Sequence, residues 1–560
     1  MKKKLKRLAA VGMAGIMAWS LSACGSAKTE TGETKTSLAE TEATESGNGG
    51  ERVLNVHIDV EVASLDPQIA TDGTSFEVIA DITDGLYELD AGGKPVPGLA
   101  ESVDKSSDGL TLTYHLRDVK WSNGTPVTAN DFVFAWRRAV DPKTASEYAF
   151  IVGIAGIKNA DAVAAGELPL EELGVTAVDE KTLKVELDVP VPYFESLMAF
   201  PTFYPVNQEF FESCGDQYAS TPDTLLSNGP FKITSYEPAA TTITLEKNPD
   251  YWDADKVKLD GMKYQVIKDS QQAILAYQNG DLDVVTLSGE QVEQFQADPE
   301  FKNIMAGYLW YISPNLKVAG LENLNLRKAL SLCFDKEAVC NNILKDGSIP
   351  AYFAVPTLLA AGPDGKDYRE SAGSDYFKTD KAKALSYWEE AKKELGVESL
   401  TFNMIVEDTE SAINVAQFLQ SEIQTTLPGI TINLEQMPKK NRVERMQQGQ
   451  FELGLTRWGP DYADPMTYLD MWTTDSPNNY GFWSDPEYDS IIESSKKGEL
   501  ALDPEKRWNA LIEAEKIVCE DAVILPVYQK GNAVMQKANV EGIEFHSIAI
   551  NRYFKHAVKN

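Results

Sequence analysis

The stretch LTLTYHLRDVKWSNGTPVTANDFVFAWRRAVDP, residues 110–142, reads as a strand, a turn and a helix in succession. Leu110, Leu112, Tyr114 and Leu116 alternate with more polar residues, the period of a half-buried strand. Asn123-Gly124 signals a turn. Thr128-Ala129-Asn130-Asp131 has the form of a capping box, with an acid at the third helical position. Phe132, Trp136 and Val140 follow at helical spacing, and Asp141-Pro142 ends the run. Strand and helix within one segment predict a mixed α/β protein.

Flanking segments carry the same mixture. Val53, Asn55, His57 and Asp59 alternate with Leu54, Val56, Ile58 and Val60, and a Leu65-Asp66-Pro67 turn follows. Leu326, Leu330 and Cys333 share a predicted helix, and Asp335 caps a second one carrying Val339 and Ile343. Asp503-Pro504 opens a helix running to about Glu520, with cap and first-turn proline in the expected order. Val523 to Tyr528 reads as a buried strand. There is no internal repeat.

Composition narrows the function classes. The chain has 560 residues, 85 acidic against 52 basic, a formal charge of −33 and a hydrophobic share of 43%. That length suits about three domains. The negative charge excludes most generic nucleic-acid binding, which needs a basic surface. Five cysteines exclude a disulfide-rich scaffold. No 18-residue apolar run predicts an ordinary membrane-spanning helix.

The N-terminus predicts export. Lys2, Lys3, Lys4, Lys6 and Arg7 precede a short apolar stretch from Leu8 to Ala23, the layout of a signal peptide over 1–23. Leu21-Ser22-Ala23-Cys24-Gly25 resembles the lipobox of bacterial lipoproteins, which implies a lipid on the Cys24 sulfur and cleavage before it. Residues 25–50 hold six Thr, five Glu and five Gly with one large apolar residue, Leu38. Such a composition does not bury enough surface to offset chain entropy, so 24–51 reads as a disordered tether.

Motifs of catalysis are missing. There is no G-x-S-x-G elbow and no phosphate-binding G-x-x-x-x-G-K-[ST] loop. His57, His115, His546 and His556 lie far apart, and Cys214, Cys333, Cys340 and Cys519 form no C-x-x-C. Cys333 and Cys340 read as small buried apolar side chains. No catalytic residue, metal site or cofactor is expected.

The aromatic density peaks between Phe451 and Trp483, where Trp458, Tyr462, Tyr468, Trp472, Tyr480 and Phe482 also fall. Inside this window Arg457-Trp458-Gly459-Pro460-Asp461-Tyr462-Ala463-Asp464-Pro465 is a stiff, irregular segment. Two readings of Asp461 stand side by side. Partly desolvated between Pro460 and Tyr462, it holds a ligand cation, since lowered dielectric strengthens the attraction. Alternatively it caps a turn or the helix around Met466 to Met471, and the aromatics are core.

A resemblance bears on that choice. Seven blocks match the extracellular solute-binding proteins of the oligopeptide, dipeptide and nickel class of ABC importers. They are Ser64–Pro67, Pro97–Ser102, Leu116–Asp118 with Lys120–Gly124, Asp131–Trp136, Pro190–Phe194, Asn228–Phe231 and Lys247–Trp252. The match spans nearly all of 52–560 and is closest to oligopeptide-binding lipoproteins. It implies an α/β, two-lobed clamp of the periplasmic-binding-protein type II peptide class with an additional third domain. By analogy lobe I combines 52–75, 200–308 and 530–560, the extra domain is 76–199, and lobe II is 309–529.

The resemblance also implies a function and a site. An extended oligopeptide pairs by its main chain between the lobes and is delivered to the permease subunits of an ABC importer. Asp461 stands where the relatives hold the peptide's α-amino group. Gly459 and Pro460 stand where they offer backbone groups, Glu61 matches a cleft-lining acid of lobe I, and Trp458, Tyr462 and Tyr528 are candidate walls. Some relatives carry a cysteine at the Gly459 position bonded to one near Leu309, and arginines at the positions of Met446 and Leu455; this chain has neither. Arg445 and Arg457 are adjacent to the latter two positions. The expected protein is a monomer anchored through Cys24 to the outer face of the cytoplasmic membrane, at a Gram-positive surface or in a Gram-negative periplasm. The same fold serving a nickel chelate, haem, an oligosaccharide or a peptide signal remains the alternative, and a secreted hydrolase is the third reading.

Overall fold

The computed structural model describes residues 52–560 except Ser374, Gly498 and Ala549. The signal peptide 1–23, Cys24 and the rest of the segment 24–51 lie outside the described residues.

Local signals act where they were read. The Thr128 N–H donates to the Asp131 carboxylate at 2.8 Å. The helix Ala129–Val140 then buries Phe132, Val133, Ala135, Trp136, Ala139 and Val140 on one face. The strand Thr111–Leu116 sits in a four-stranded antiparallel sheet with Ala100–Lys105, Thr182–Glu186 and Val175–Asp179. Asp503 accepts from the Lys506 N–H at 3.1 Å and opens the helix Pro504–Glu520. Asp335 likewise caps at Ala338, 3.0 Å, but after Lys336–Ala338 the chain widens into a π-helical segment, Val339–Leu344. Cys333 and Cys340 are free and buried.

The main sheet has eleven strands. Its order is Ile430–Met437, Leu400–Glu407, Leu453–Trp458, Phe301–Pro314, Leu525–Gln536, Val284–Thr286, Val53–Ile58, Gly261–Val266, Thr242–Lys247 and Phe231–Ser235, with Ile349–Pro350 beside Leu525–Gln536. The predicted strand at Val523–Tyr528 begins two residues later and continues to Gln536, because Gly531 to Met535 pair with Phe301 to Met305.

Two long antiparallel strands, Phe301–Pro314 and Leu525–Gln536, tie the sheet's halves together. Phe301–Met305 pairs on the side of Val53–Ile58, whereas Leu309–Pro314 pairs with Leu453–Trp458. The register breaks between Met305 and Leu309, at the passage from one half to the other. Gln529 bridges that passage, donating to the carbonyls of Ala306 at 2.9 Å and Thr357 at 3.0 Å.

Strand direction then places a crevice. In the first half, Val284–Thr286 and Val53–Ile58 run in the same sense as Phe301–Met305, toward the passage. In the second half, Leu453–Trp458 is antiparallel to the outgoing Leu309–Pro314, and Leu400–Glu407 and Ile430–Met437 are parallel to it. These strands also run toward the passage. The carboxyl ends of both parallel sets therefore meet at one boundary, where open α/β sheets take their ligands.

Candidate functional site

At that boundary Asp461 stands three residues beyond the end of Leu453–Trp458. Protein surrounds it, yet part of its surface stays open to water. Its carboxylate has no hydrogen-bond or ion partner among the described residues. Burial alone raises its pKa to about 7. A carboxylate stripped of water without a counter-charge costs free energy until a cation arrives.

The backbone around Asp461 is pinned although its carboxylate is free. Its N–H donates to Thr467 Oγ1 at 3.2 Å. Gly459 lies so close to the Tyr308 ring that any Cβ would overlap it. Pro460 packs against Gly307 at the register break. Tyr462 stacks on Tyr193, with ring centroids 4.4 Å apart and planes 17° from parallel. The Ala463 N–H donates to Ser196 Oγ at 3.0 Å. Asp464 accepts two bonds from Arg507, at 2.7 and 2.8 Å.

Residues from both halves share this space. The charges of Asp461 and Asp72 both raise the hydroxyl pKa of Tyr148 and of Tyr308, after burial as the first cause. Asp72 caps Gly73–Ile82 in the first half, accepting from the Ser75 N–H at 2.9 Å. Its charge also reaches Lys439, which follows the carboxyl end of Ile430–Met437 and whose pKa is lowered, chiefly by burial. A cavity of about 290 Å³ opens at the edge of the first half, among Asp59, Asp72, Glu77, Met305, Asn532 and Arg552. A second one, about 640 Å³, lies apart between Phe134, Arg137, Lys143 and Phe211 and touches none of these cleft residues.

The remaining sequence candidates are placed as follows. Trp458 is half-buried, its indole Nε1 is enclosed without a partner, and its carbonyl accepts from the Tyr468 hydroxyl at 3.1 Å. Tyr462 is 2% exposed, its ring committed to Tyr193. Tyr528 is 1% exposed and stacks under Trp310 at 5.5 Å. Glu61 lies past the end of Val53–Ile58 and is ion-paired with Lys268 at 2.6 Å, a bond that lowers its pKa. Met446 and Leu455 are fully buried. Of their cationic neighbours, Arg445 pairs with Glu435 on the surface, and Arg457 pairs with the buried Glu407 at 2.7 Å. Arg442, 1% exposed, also leans on Glu407 and donates to Thr456 Oγ1 at 2.5 Å.

Tyr148, Tyr308, Asp72 and Lys439 escaped the reading of the sequence. Each comes from a different segment: the charge of Asp461 reaches Tyr148 and Tyr308, that of Asp72 reaches both tyrosines and Lys439, and no local pattern links the four. Tyr193 and Ser196 escaped it too, although Tyr193 falls inside the Pro190–Phe194 block. Among the described residues, no group of three or more His, Cys, Asp or Glu is arranged to hold a metal ion, and no helix is long and apolar enough to cross a membrane.

Comparison with known proteins gives the family. Residues 94–480 match the family described as bacterial extracellular solute-binding proteins, family 5 Middle. The chain is 34% identical to a dipeptide-binding protein of Lactococcus lactis subsp. cremoris, over 89% of this chain and 92% of that protein. Among solved structures, the substrate-binding domain of an oligopeptide ABC transporter from Bacillus anthracis is 40% identical, with TM-score 0.77, covering 91% of this chain and 99% of that one. Listeria monocytogenes OppA bound to peptide is 36% identical, with TM-score 0.76 and coverage of 91% and 99%.

Proposed function

The chain belongs to the bacterial extracellular solute-binding proteins of family 5, and from that premise we propose that it captures oligopeptides between its halves and hands them to the permease of an ABC importer. One observation carries the site: a single carboxylate, Asp461, stands unpaired and desolvated where the carboxyl ends of both strand sets meet. A peptide's α-ammonium supplies the missing charge. The backbone groups of Gly459 and Pro460 pair with the extended peptide, in the manner of an added strand. Main-chain pairing reads no side chain, so many sequences are accepted. Trp458 lines the segment. Glu61, held by Lys268, borders the cleft from the first half, while Tyr462 and Tyr528 back the wall from behind.

The same proposal includes the membrane side. Cys24 carries the lipid, and 24–51 tethers the clamp to the outer face of the membrane. The lobes are 52–75 with 200–308 and 530–560, and 309–529, with 76–199 as the extra domain.

Mass spectrometry of ligand carried through mild purification tests the solute class; a glycan, a haem or a nickel chelate in place of peptide refutes the reading. Titration calorimetry tests the residue. Asp461→Ala leaves a buried ammonium unpaired, which costs about 3–5 kcal/mol, or roughly two to three and a half orders of magnitude in affinity. Unchanged affinity refutes the role of Asp461. Release of a Cys24→Ser protein into the medium, with the native protein retained on cells, tests the anchor.

A further inference from the structure

We propose that Tyr193 and Ser196 are positioning residues for Asp461, so that the receptor for the peptide amine is complete only when the two halves of the molecule touch. The inference rests on the reading of Asp461 given above.

Asp461 belongs to the second half, on the segment that follows Leu453–Trp458. Tyr193 and Ser196 lie outside the second half, in the additional domain 76–199 that is inserted into the first, at the start and inside of the short helix Phe194–Leu197. The covalent links between the halves are the paired strands Phe301–Pro314 and Leu525–Gln536. The contact of Tyr193 with Tyr462 is therefore a separate, non-covalent bridge. It is intimate: the rings stack at 4.4 Å, and Tyr193 and Tyr462 are 6% and 2% exposed. Ser196 Oγ accepts from the next N–H, that of Ala463, at 3.0 Å. Behind the stack the Arg507 guanidinium lies 5.6 Å from the Tyr193 ring while it holds Asp464.

These contacts fix the residues at positions one, two and three beyond Asp461. Nothing among the described residues fixes its carboxylate. A desolvated, unpaired carboxylate gains by turning toward water, and a loop free to swing would take it there. Two of the anchors that hold the loop come from the opposite half. Separating the halves breaks the stack and the Ser196 bond together and frees Asp461 to hydrate, which weakens its hold on an amine. The Pro190-Val191-Pro192-Tyr193-Phe194 block thereby acquires a role: its prolines stiffen the arm that presents Tyr193.

The test uses oligoalanines of two to eight residues, each with a free and an acetylated amine, titrated into the native protein and into Tyr193→Ala, Tyr193→Phe, Ser196→Ala, Asp461→Asn and the Tyr193→Ala/Asp461→Asn pair. Tyr193→Ala is expected to lower affinity for the free amine about ten-fold, the upper range for an aromatic pair, and to leave the acetylated forms unchanged. Tyr193→Phe keeps the stack and the affinity. Ser196→Ala, which removes one hydrogen bond and little volume, shows the same amine-selective loss at a few-fold and serves if Tyr193→Ala does not fold. In the Asp461→Asn background the Tyr193→Ala loss disappears. Equal loss for free and acetylated peptides, or the same loss with and without Asp461, overturns the inference and leaves amine capture by Asp461 standing. No effect of Asp461→Asn on free-amine peptides overturns both.

Discussion

Peptide capture should depend on pH with a maximum just above neutrality, and the titration of Asp461 sets the acid side. Burial raises this carboxyl to about 7 in the empty protein, against about 3.9 for a free aspartate. The partner proposed for it, a peptide α-amino group, titrates at about 7.7–8.0. Only the pair of carboxylate and ammonium forms the ion pair. At pH 5 about one molecule in a hundred carries the ionised Asp461, so affinity falls about 100-fold below its plateau. At pH 7 the loss is about two-fold. Above pH 8 the amine loses its proton, and affinity falls again by about ten-fold per unit. Calorimetry of an oligoalanine from pH 5 to 9, in buffers of differing ionisation enthalpy, reads both affinity and proton count. At pH 5–6 binding should release nearly one proton; at pH 9 it should take one up. A flat affinity between pH 5 and 7, or the same acid slope in Asp461→Asn, would refute the argument that this carboxyl titrates against the amine.

Three further outcomes follow from the same geometry. Asp461→Asn should raise the melting temperature of the empty protein at pH 8 and leave it unchanged at pH 4. The folded pKa lies above the unfolded one, so the penalty is absent below about 4, grows toward about 7 and is complete above it; equal melting temperatures at pH 8 would contradict this. Gly459→Ala drives a methyl into the Tyr308 ring and should cost about 1–3 kcal/mol in urea unfolding, with weaker peptide binding; an unperturbed midpoint would show that Tyr308 yields freely. Glu61→Gln breaks a pair with Lys268 whose side chains are 35% and 66% exposed. A solvent-screened pair contributes little, so peptide affinity should change less than about five-fold; a larger loss would give Glu61 a direct role in binding.

Local chemistry was legible in the sequence, and spatial convergence was not. The capping box at Thr128 and Asp131 and the Asp503-Pro504 helix start were readable because each needs only neighbours in the chain. The sequence predicts a strand that ends at Tyr528, and Gln529-Lys530-Gly531-Asn532 carries no apolar alternation to extend it. It continues because Phe301–Met305, more than two hundred residues earlier, supplies its ladder. Asp461 stands out through its prolines and aromatics, but local pattern leaves both cap and ligand site open and leans toward the cap. Asp464 rather than Asp461 forms the turn ahead of the helix that begins at Met466, its carboxylate accepting from the Met466 N–H at 2.9 Å. Tyr462 and Tyr528 drew notice as aromatics near the site, yet aromaticity does not tell a wall from the packing behind it. Tyr193 and Trp310 cover them, and neither partner is adjacent in sequence.

The charges of the cleft divide by whether they are already neutralised. Glu407 holds Arg457 and Arg442, Glu61 holds Lys268, and Asp464 holds Arg507. Such pairs orient the walls and offer a ligand little, because displacing a partner costs what the new contact gains. Asp461 has no such partner among the described residues, and its raised pKa registers the cost of keeping it so. A solute that brings an ammonium recovers that cost on binding, whereas a neutral solute of the same shape does not. If Asp461 receives the amine as proposed, a free amine distinguishes the solutes this cleft accepts, while the unread side chains leave peptide sequence open. If Tyr193 and Ser196 position that loop as proposed, the discrimination lasts only as long as they hold Asp461 back from water.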